Sequence, residues 1–180
     1  KQKHKSAIGE IAKNNFIYSR FHIDPLIDND IANQIKQEWV ENYFNGKTEA
    51  WGMFHDRFGN LKRTFKVDIT GTLESDTLTL DEKFLYDDGE QDSRVWTIEI
   101  LGNNQYSGTA SDVVGVAKGY SYGPAFKFEY VLLVPIKGKN IKITFDDWIF
   151  LQDEKVAINR ATMSKFGFKV AELTVMFTKK

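Results

Sequence analysis

After Gly46, apolar and polar side chains alternate along the chain with a period of two, as in a strand with one face turned to a core. The alternation predicts ten strands: Thr48–Phe58, Leu61–Leu73, Thr77–Asp87, Arg94–Leu101, Gln105–Asp112, Val114–Tyr122, Ala125–Pro135, Asn140–Leu151, Val156–Lys165 and Phe168–Thr178. Turn residues separate them, among them Gly59-Asn60, Ser75-Asp76, Gly102-Asn103-Asn104 and Lys137-Gly138. Connections this short join antiparallel neighbours, so the strands form a meander that closes on itself. Before Gly46 the period differs. Ile31, Ile35, Trp39 and Tyr43 form one stripe with Val40 and Phe44 beside it, which predicts an amphipathic helix over residues 28–45. Asp28 or Asp30 caps its start, and Asn45-Gly46 stops it. Residues 1–27 form a separate arm, whose first twenty residues carry Lys1, Lys3, Lys5, Lys13 and Arg20 against the single acid Glu10. Residues 28–180 make one all-β domain with its helix at one end.

Each turn implies a register, and each register brings charges onto the apolar face. Around Gly59-Asn60, Phe54 faces Phe65 and Asp56 faces Arg63. Around Ser75-Asp76, Leu73 faces Leu78, Val67 faces Phe84, Phe65 faces Tyr86 and Arg63 faces Asp88. Around Gly102, Ile100 faces Tyr106, Trp96 faces Ala110 and Arg94 faces Asp112. In Ile141–Leu151 the residues Ile143, Phe145, Asp147 and Ile149 share a face; in Val156–Lys165 the residues Val156, Ile158, Arg160 and Thr162 share one. Folding back around Asp153-Glu154 sets Asp147 against Arg160. A lone buried charge costs several kcal/mol, so the pairs either satisfy one another and fix register, or leave one guanidinium to fork onto a carboxylate or phosphate head group. Tyr120 and Tyr122 are expected to join Phe126, Phe128 and Tyr130 in an aromatic inner wall. The expected interior ligand-binding set is Asp56, Arg63, Tyr86, Asp88, Arg94, Trp96, Asp112, Tyr120, Tyr122, Phe128, Tyr130, Asp147 and Arg160.

Composition narrows the chemistry. The 180 residues include no Cys and only 3 His, which removes disulfides and thiolate sites and argues against a multi-histidine metal site. No cofactor is expected. Net charge is -1, so no global field invites nucleic acid. Ser107, Ser111, Ser121 and Ser164 have no His backed by an acid nearby, and adjacent Asp146-Asp147 and Asp87-Asp88 point to opposite faces of their strands. No catalytic residue emerges.

The segments Phe145-Asp-Asp-Trp-Ile-Phe-Leu-Gln-Asp153 and Asn159-Arg-Ala-Thr-Met-Ser-Lys-Phe-Gly167 resemble an uncharacterised bacterial, lipocalin-like family. Matching segments include Ala50-Trp-Gly-Met-Phe54, Asp56-Arg-Phe-Gly59, Val67-Asp-Ile-Thr-Gly-Thr72, Arg94-Val-Trp96 and Asp112-Val-Val-Gly115. The resemblance implies a calycin-like barrel and a protein that is often a lipoprotein or membrane-anchored. It leads to the expectation of a non-enzymatic binder of a lipid or other apolar ligand, at the periplasmic face of a membrane or an equivalent organellar compartment. The basic arm itself reads first as a solvated segment and, as the alternative, as one that with the helix meets a membrane surface or a membrane protein complex; the chain start, Lys1, reads as processed or truncated. Two readings stand beside it: an accessory subunit with a filled barrel, and a small-molecule isomerase or hydrolase.

Overall fold

The computed structural model describes residues 39–136 and 138–180. Ten strands follow one helix: α1 (Trp39–Phe44), β1 (Gly46–Asp56), β2 (Leu61–Glu74), β3 (Thr77–Tyr86), β4 (Gln91–Gly102), β5 (Gln105–Thr109), β6 (Ala117–Tyr122), β7 (Ala125–Ile136), β8 (Lys139–Leu151), β9 (Val156–Lys165) and β10 (Phe168–Lys179). All neighbours are antiparallel, and β1 pairs with β10, so the sheet closes into a barrel with strand order β1-β10-β9-β8-β7-β6-β5-β4-β3-β2. Among the described residues every strand therefore has a neighbour on both sides. The expected arm lies outside the described residues, and of the expected helix only Trp39–Phe44 lies within them.

α1 plugs the end of the barrel where the β6–β7 and β8–β9 connections lie. Trp39, Val40, Tyr43 and Phe44 are buried, and the helix is pinned through its polar atoms. Trp39 Nε1 donates to the Gly123 carbonyl (2.8 Å), Tyr43 Oη to the Lys155 carbonyl (2.9 Å), and Tyr106 Oη to Glu41 Oε2 (3.0 Å). Gly71 makes this seat possible. A Cβ there would lie 1.7 Å from the Phe44 carbonyl oxygen.

Registers follow the turns that form. Around Ser75 and around Gly102 they are as the sequence predicts, with Leu73 opposite Leu78, Phe65 opposite Tyr86 and Ile100 opposite Tyr106. At β1–β2 the pairing is displaced by two residues, so that Phe54 faces Arg63 and Gly52 faces Phe65. Asp56 causes the shift: its Oδ1 accepts from the Phe58 and Asn60 amides (2.9 and 3.0 Å), making a longer, self-capped loop followed by a bulge at Phe54/His55. A two-residue shift preserves faces. At β8–β9 the shift is one residue: Ile149 faces Asn159 and Asp147 faces Ala161. The loop takes up Val156 as well, because both Gln152 N and Asp153 N donate to its carbonyl. A one-residue slip sends every side chain of β9 to the other face. Ala157, Asn159, Ala161 and Met163 therefore point inward, and Val156, Ile158 and Arg160 point away from the core.

Candidate functional site

The interior is built in layers. Next to α1 lies a large cluster containing Val67, Ile69, Leu78, Leu80, Trp96, Ile98, Phe126, Phe128 and Val175. Toward the other end lies a smaller one, made of Leu132, Ile143, Phe145, Ala161, Met163 and Ala171. Aromatic bulk needs matching gaps, and Gly108 supplies one; a Cβ there would meet the Phe128 ring at 2.5 Å. Phe128 and Tyr130 in turn pack on Trp96, with ring centres 5.1 and 5.2 Å away.

Between the two clusters the strands place a polar group. Arg94 on β4 is opposite Glu82 on β3. Its Nε lies 3.1 Å from both oxygens of Asp112 and its Nη2 2.7 Å from Oδ2, while Nη1 stands 3.8 Å from Glu82 Oε2. Asp112 comes from the segment between β5 and β6, which docks on β7 through Leu133 N to the Asp112 carbonyl and Val114 N to the Val131 carbonyl. Across the interior, Tyr130 Oη donates to Asp147 Oδ2 (2.7 Å), and Asp147 Oδ1 has no hydrogen-bond partner. On β8, Asp147 stands between Ile149 of the first cluster and Phe145 of the second. Removal from water, the largest influence, raises the Glu82 carboxyl from 4.5 to about 7, although Arg94 beside it acts the other way. Burial likewise raises Asp147 from 3.8 to about 7, against the Tyr130 hydrogen bond.

Glu82, Arg94, Tyr130 and Asp147 of this group line a cavity of about 120 Å³, whose remaining walls include Val40, Phe44, Trp96, Ile98, Phe128, Val175 and Asn159. The space runs from the α1 plug to the polar layer. It is much smaller than the few hundred Å³ typical of drug-sized ligand pockets.

The expected site residues divide into groups. Arg94, Asp112, Asp147, Tyr130, Trp96 and Phe128 come together in the interior, and all of them but Asp112 line the cavity directly. Tyr86 carries Arg63 on its ring face (3.6 Å), and Arg63 binds Asp88 (2.7 Å) and Glu90 (2.6 Å) at the rim away from α1. Asp56 does not meet Arg63, since its carboxylate is held by its own loop and by Lys62 at 3.1 Å. Arg160 does not meet Asp147. It is 70% exposed and pairs with Glu172 on β10. Tyr120 and Tyr122 are not interior either, because Gly119 and Ser121 take the inward positions of β6 opposite Phe128 and Phe126. Tyr120, Tyr122 and Trp148 instead stack along the outside, with centres 6.5 and 6.3 Å apart. Glu82 and Asn159 were not anticipated. Strict alternation from Leu78, Leu80 and Phe84 would have placed Glu82 on the inner face, whereas Asn159 required the β8–β9 loop length.

Solved structures share this architecture at low identity. The S-type phycobiliprotein lyase CPES from Guillardia theta aligns with a TM-score of 0.62 and 11% identity, over 84% of this chain and 96% of that one. Rv2717c from M. tuberculosis aligns with a TM-score of 0.59 and 10% identity, over 80% and 97%. At these identities the likeness is one of fold. A curated relative, the spore coat polysaccharide biosynthesis protein SpsD of Bacillus subtilis (strain 168), is 46% identical over 41 residues, which is 23% of this chain and 14% of that protein. A family model, by contrast, fits residues 27–179. Through that match, which spans the whole barrel, the chain belongs to the family described as protein of unknown function (DUF3833).

Proposed function

We propose that the barrel is a non-enzymatic binder of a small apolar ligand held in its interior. The cavity between Trp96, Phe128, Ile98 and the Glu82–Arg94–Asp147 layer supports this reading, because an apolar space with a few convergent polar groups is the usual form of a small-molecule site. Its volume of about 120 Å³ sets the scale, since an engineered apolar cavity of ~150 Å³ in another protein takes up benzene. A larger lipid would need α1 or the far cluster to move. Mass spectrometry of organic extracts from natively purified protein tests the reading: a molecule retained stoichiometrically supports it, and extracts with none favour a filled barrel serving as an accessory subunit. The small cavity is the observation behind that second reading.

The expected place of work, at or near a membrane, draws on a different feature. Phe58 on the β1–β2 loop and Phe166 and Phe168 at the β9–β10 turn are strongly exposed at neighbouring hairpin tips. Arg57 lies 4.5 Å over the Phe58 ring and Lys165 5.3 Å over that of Phe166. Aromatic rings interleaved with cations suit the head-group region of an anionic bilayer. Co-sedimentation with anionic vesicles should be weakened by Phe58→Ser and Phe166→Ser together; unchanged binding would remove the tips from the reading.

A further inference from the structure

The interior polar layer holds more acid than base. Glu82, Asp112 and Asp147 face one guanidinium, that of Arg94, and Asp112 already occupies its Nε and Nη2. Glu82 meets Arg94 at 3.8 Å, longer than a hydrogen bond, and Asp147 Oδ1 has no partner. Both carboxyls line the cavity. Buried carboxyl oxygens without donors are costly, and they persist where something else supplies the donor.

We propose that the cavity takes a small apolar molecule bearing a protonated amine, or another N–H donor, which it sets against Glu82 and Asp147 with the apolar body among Trp96, Ile98 and Phe128. The proposal rests on the reading of the barrel as a ligand binder and specifies the ligand's chemistry. An anionic head group fits poorly. Arg94 is the one guanidinium among the described residues lining the cavity, and Asp112 engages it, so a carboxylate or phosphate would face the two acids of the wall, Glu82 and Asp147. A wholly apolar ligand would fill the space yet leave Glu82 and Asp147 as they are. A donor between them satisfies both, and at low local dielectric a charge-assisted hydrogen bond is worth more than a neutral one.

The carboxyls must ionise to hold a cation strongly. The groups facing them are Arg94 on β4, Asp112 ahead of β6, Tyr130 on β7 and each other, while Asp81 and Asp146 act from the outer sides of β3 and β8. Burial holds both carboxyls near neutrality, so the affinity for an amine should climb as pH rises through about 7.

Three monosubstituted benzenes of similar size separate the possibilities: benzylamine, toluene and benzoate. Each is titrated into the protein while the methyl resonances of Val67, Ile98 and Val175, which line the cavity, are followed by NMR. Benzylamine is expected to bind about tenfold or more tightly than toluene, and benzoate more weakly than either. Glu82→Gln and Asp147→Asn should each lower the affinity for benzylamine several-fold relative to that for toluene. Toluene binding with no advantage for the amine, or a preference for benzoate, would overturn the proposal and leave the ligand-binding reading standing. If none of the three shifts these methyls, both fall together. Should the variants fail to fold, the wild-type protein still decides: the ratio of benzylamine to toluene affinity must grow between about pH 6 and about pH 8, and a flat ratio overturns the proposal.

Discussion

Arg94 and Arg160 carry the same side chain in opposite circumstances. Arg94 sits in the interior with three carboxyls around it and is forked onto Asp112, so removing its charge leaves Asp112 without its partner. Breaking one side of a buried pair costs about 3–5 kcal/mol, and Arg94→Met is expected to lose that much in urea unfolding. Arg160→Met should leave the unfolding midpoint unchanged, because the guanidinium lies mostly in water beside Glu172. The cost of a broken buried pair, which the expected Asp147–Arg160 contact would place at Arg160, falls on Arg94 instead. What could be read of the site depended on how each residue's face is determined. The pair Arg63–Asp88 follows from a tight turn whose length is evident in the sequence, and Arg94–Asp112 meet as the Gly102 register implies, though through the segment docked on β7. Asp56 was misread because its side chain competes for backbone amides of its own loop, a local interaction that alternation does not register. Tyr120 and Tyr122 lie outside the expected aromatic wall because Gly119 is where the Phe126 ring needs room, 2.9 Å from where a Cβ would stand.

At the scale of elements, all ten strands were legible because period-two alternation and turn residues agree over most of the chain. The exception at β5 is informative. Asp112 was expected within the strand, but pairing stops at Thr109 and the following segment bridges instead to Leu132 on β7, which keeps Asp112 near Arg94 without a ladder. β9 was the harder element, since its outward Val156 and Ile158 are bulkier than its inward Ala157 and Ala161. Bulk favoured the wrong face, and a single loop residue decided the matter. A chain without Cys makes the register easy to test. Arg160→Cys should react rapidly with a water-soluble maleimide in the native state, and Ala161→Cys only on unfolding; equal rates would refute the register. The seat of α1 makes a separate prediction. Gly71→Ala would force a Cβ onto the Phe44 carbonyl, so the helix should lift and free Trp39 from Gly123. Tryptophan emission should shift to the red while the far-ultraviolet strand signal is kept.

The whole molecule folds around acids that prefer to be neutral, and that gives its stability an unusual dependence on pH. Glu82 and Asp147 ionise near 7 in the folded chain, whereas their ordinary values are 4.5 and 3.8. Between those limits the folded state keeps protons that the unfolded chain has released. Stability should therefore fall as pH rises from about 5 to about 7 and level off above, once the buried charges have formed. Below that window other groups act in the opposite sense. Hydrogen bonds hold Asp56 below its ordinary range, through Asn60 first, and Glu172 likewise through Lys169 and Arg160. The stability these two add is present above their unfolded values of 3.8 and 4.5 and is lost on further acidification. A maximum near pH 5 is the expected result, with the melting temperature lower at pH 8 than at pH 5. Because a chain of this size moves by about 2–4 °C for each kcal/mol, the difference is measurable by circular dichroism. Glu82→Gln should flatten the descent, since an amide cannot ionise, and Glu82→Gln with Asp147→Asn should nearly abolish it. A melting temperature that climbs steadily from pH 5 to pH 8, or a slope indifferent to both substitutions, would mean that these carboxyls are charged in the folded barrel. The polar layer would then be a fully ionised network rather than a pair of acids waiting for a donor.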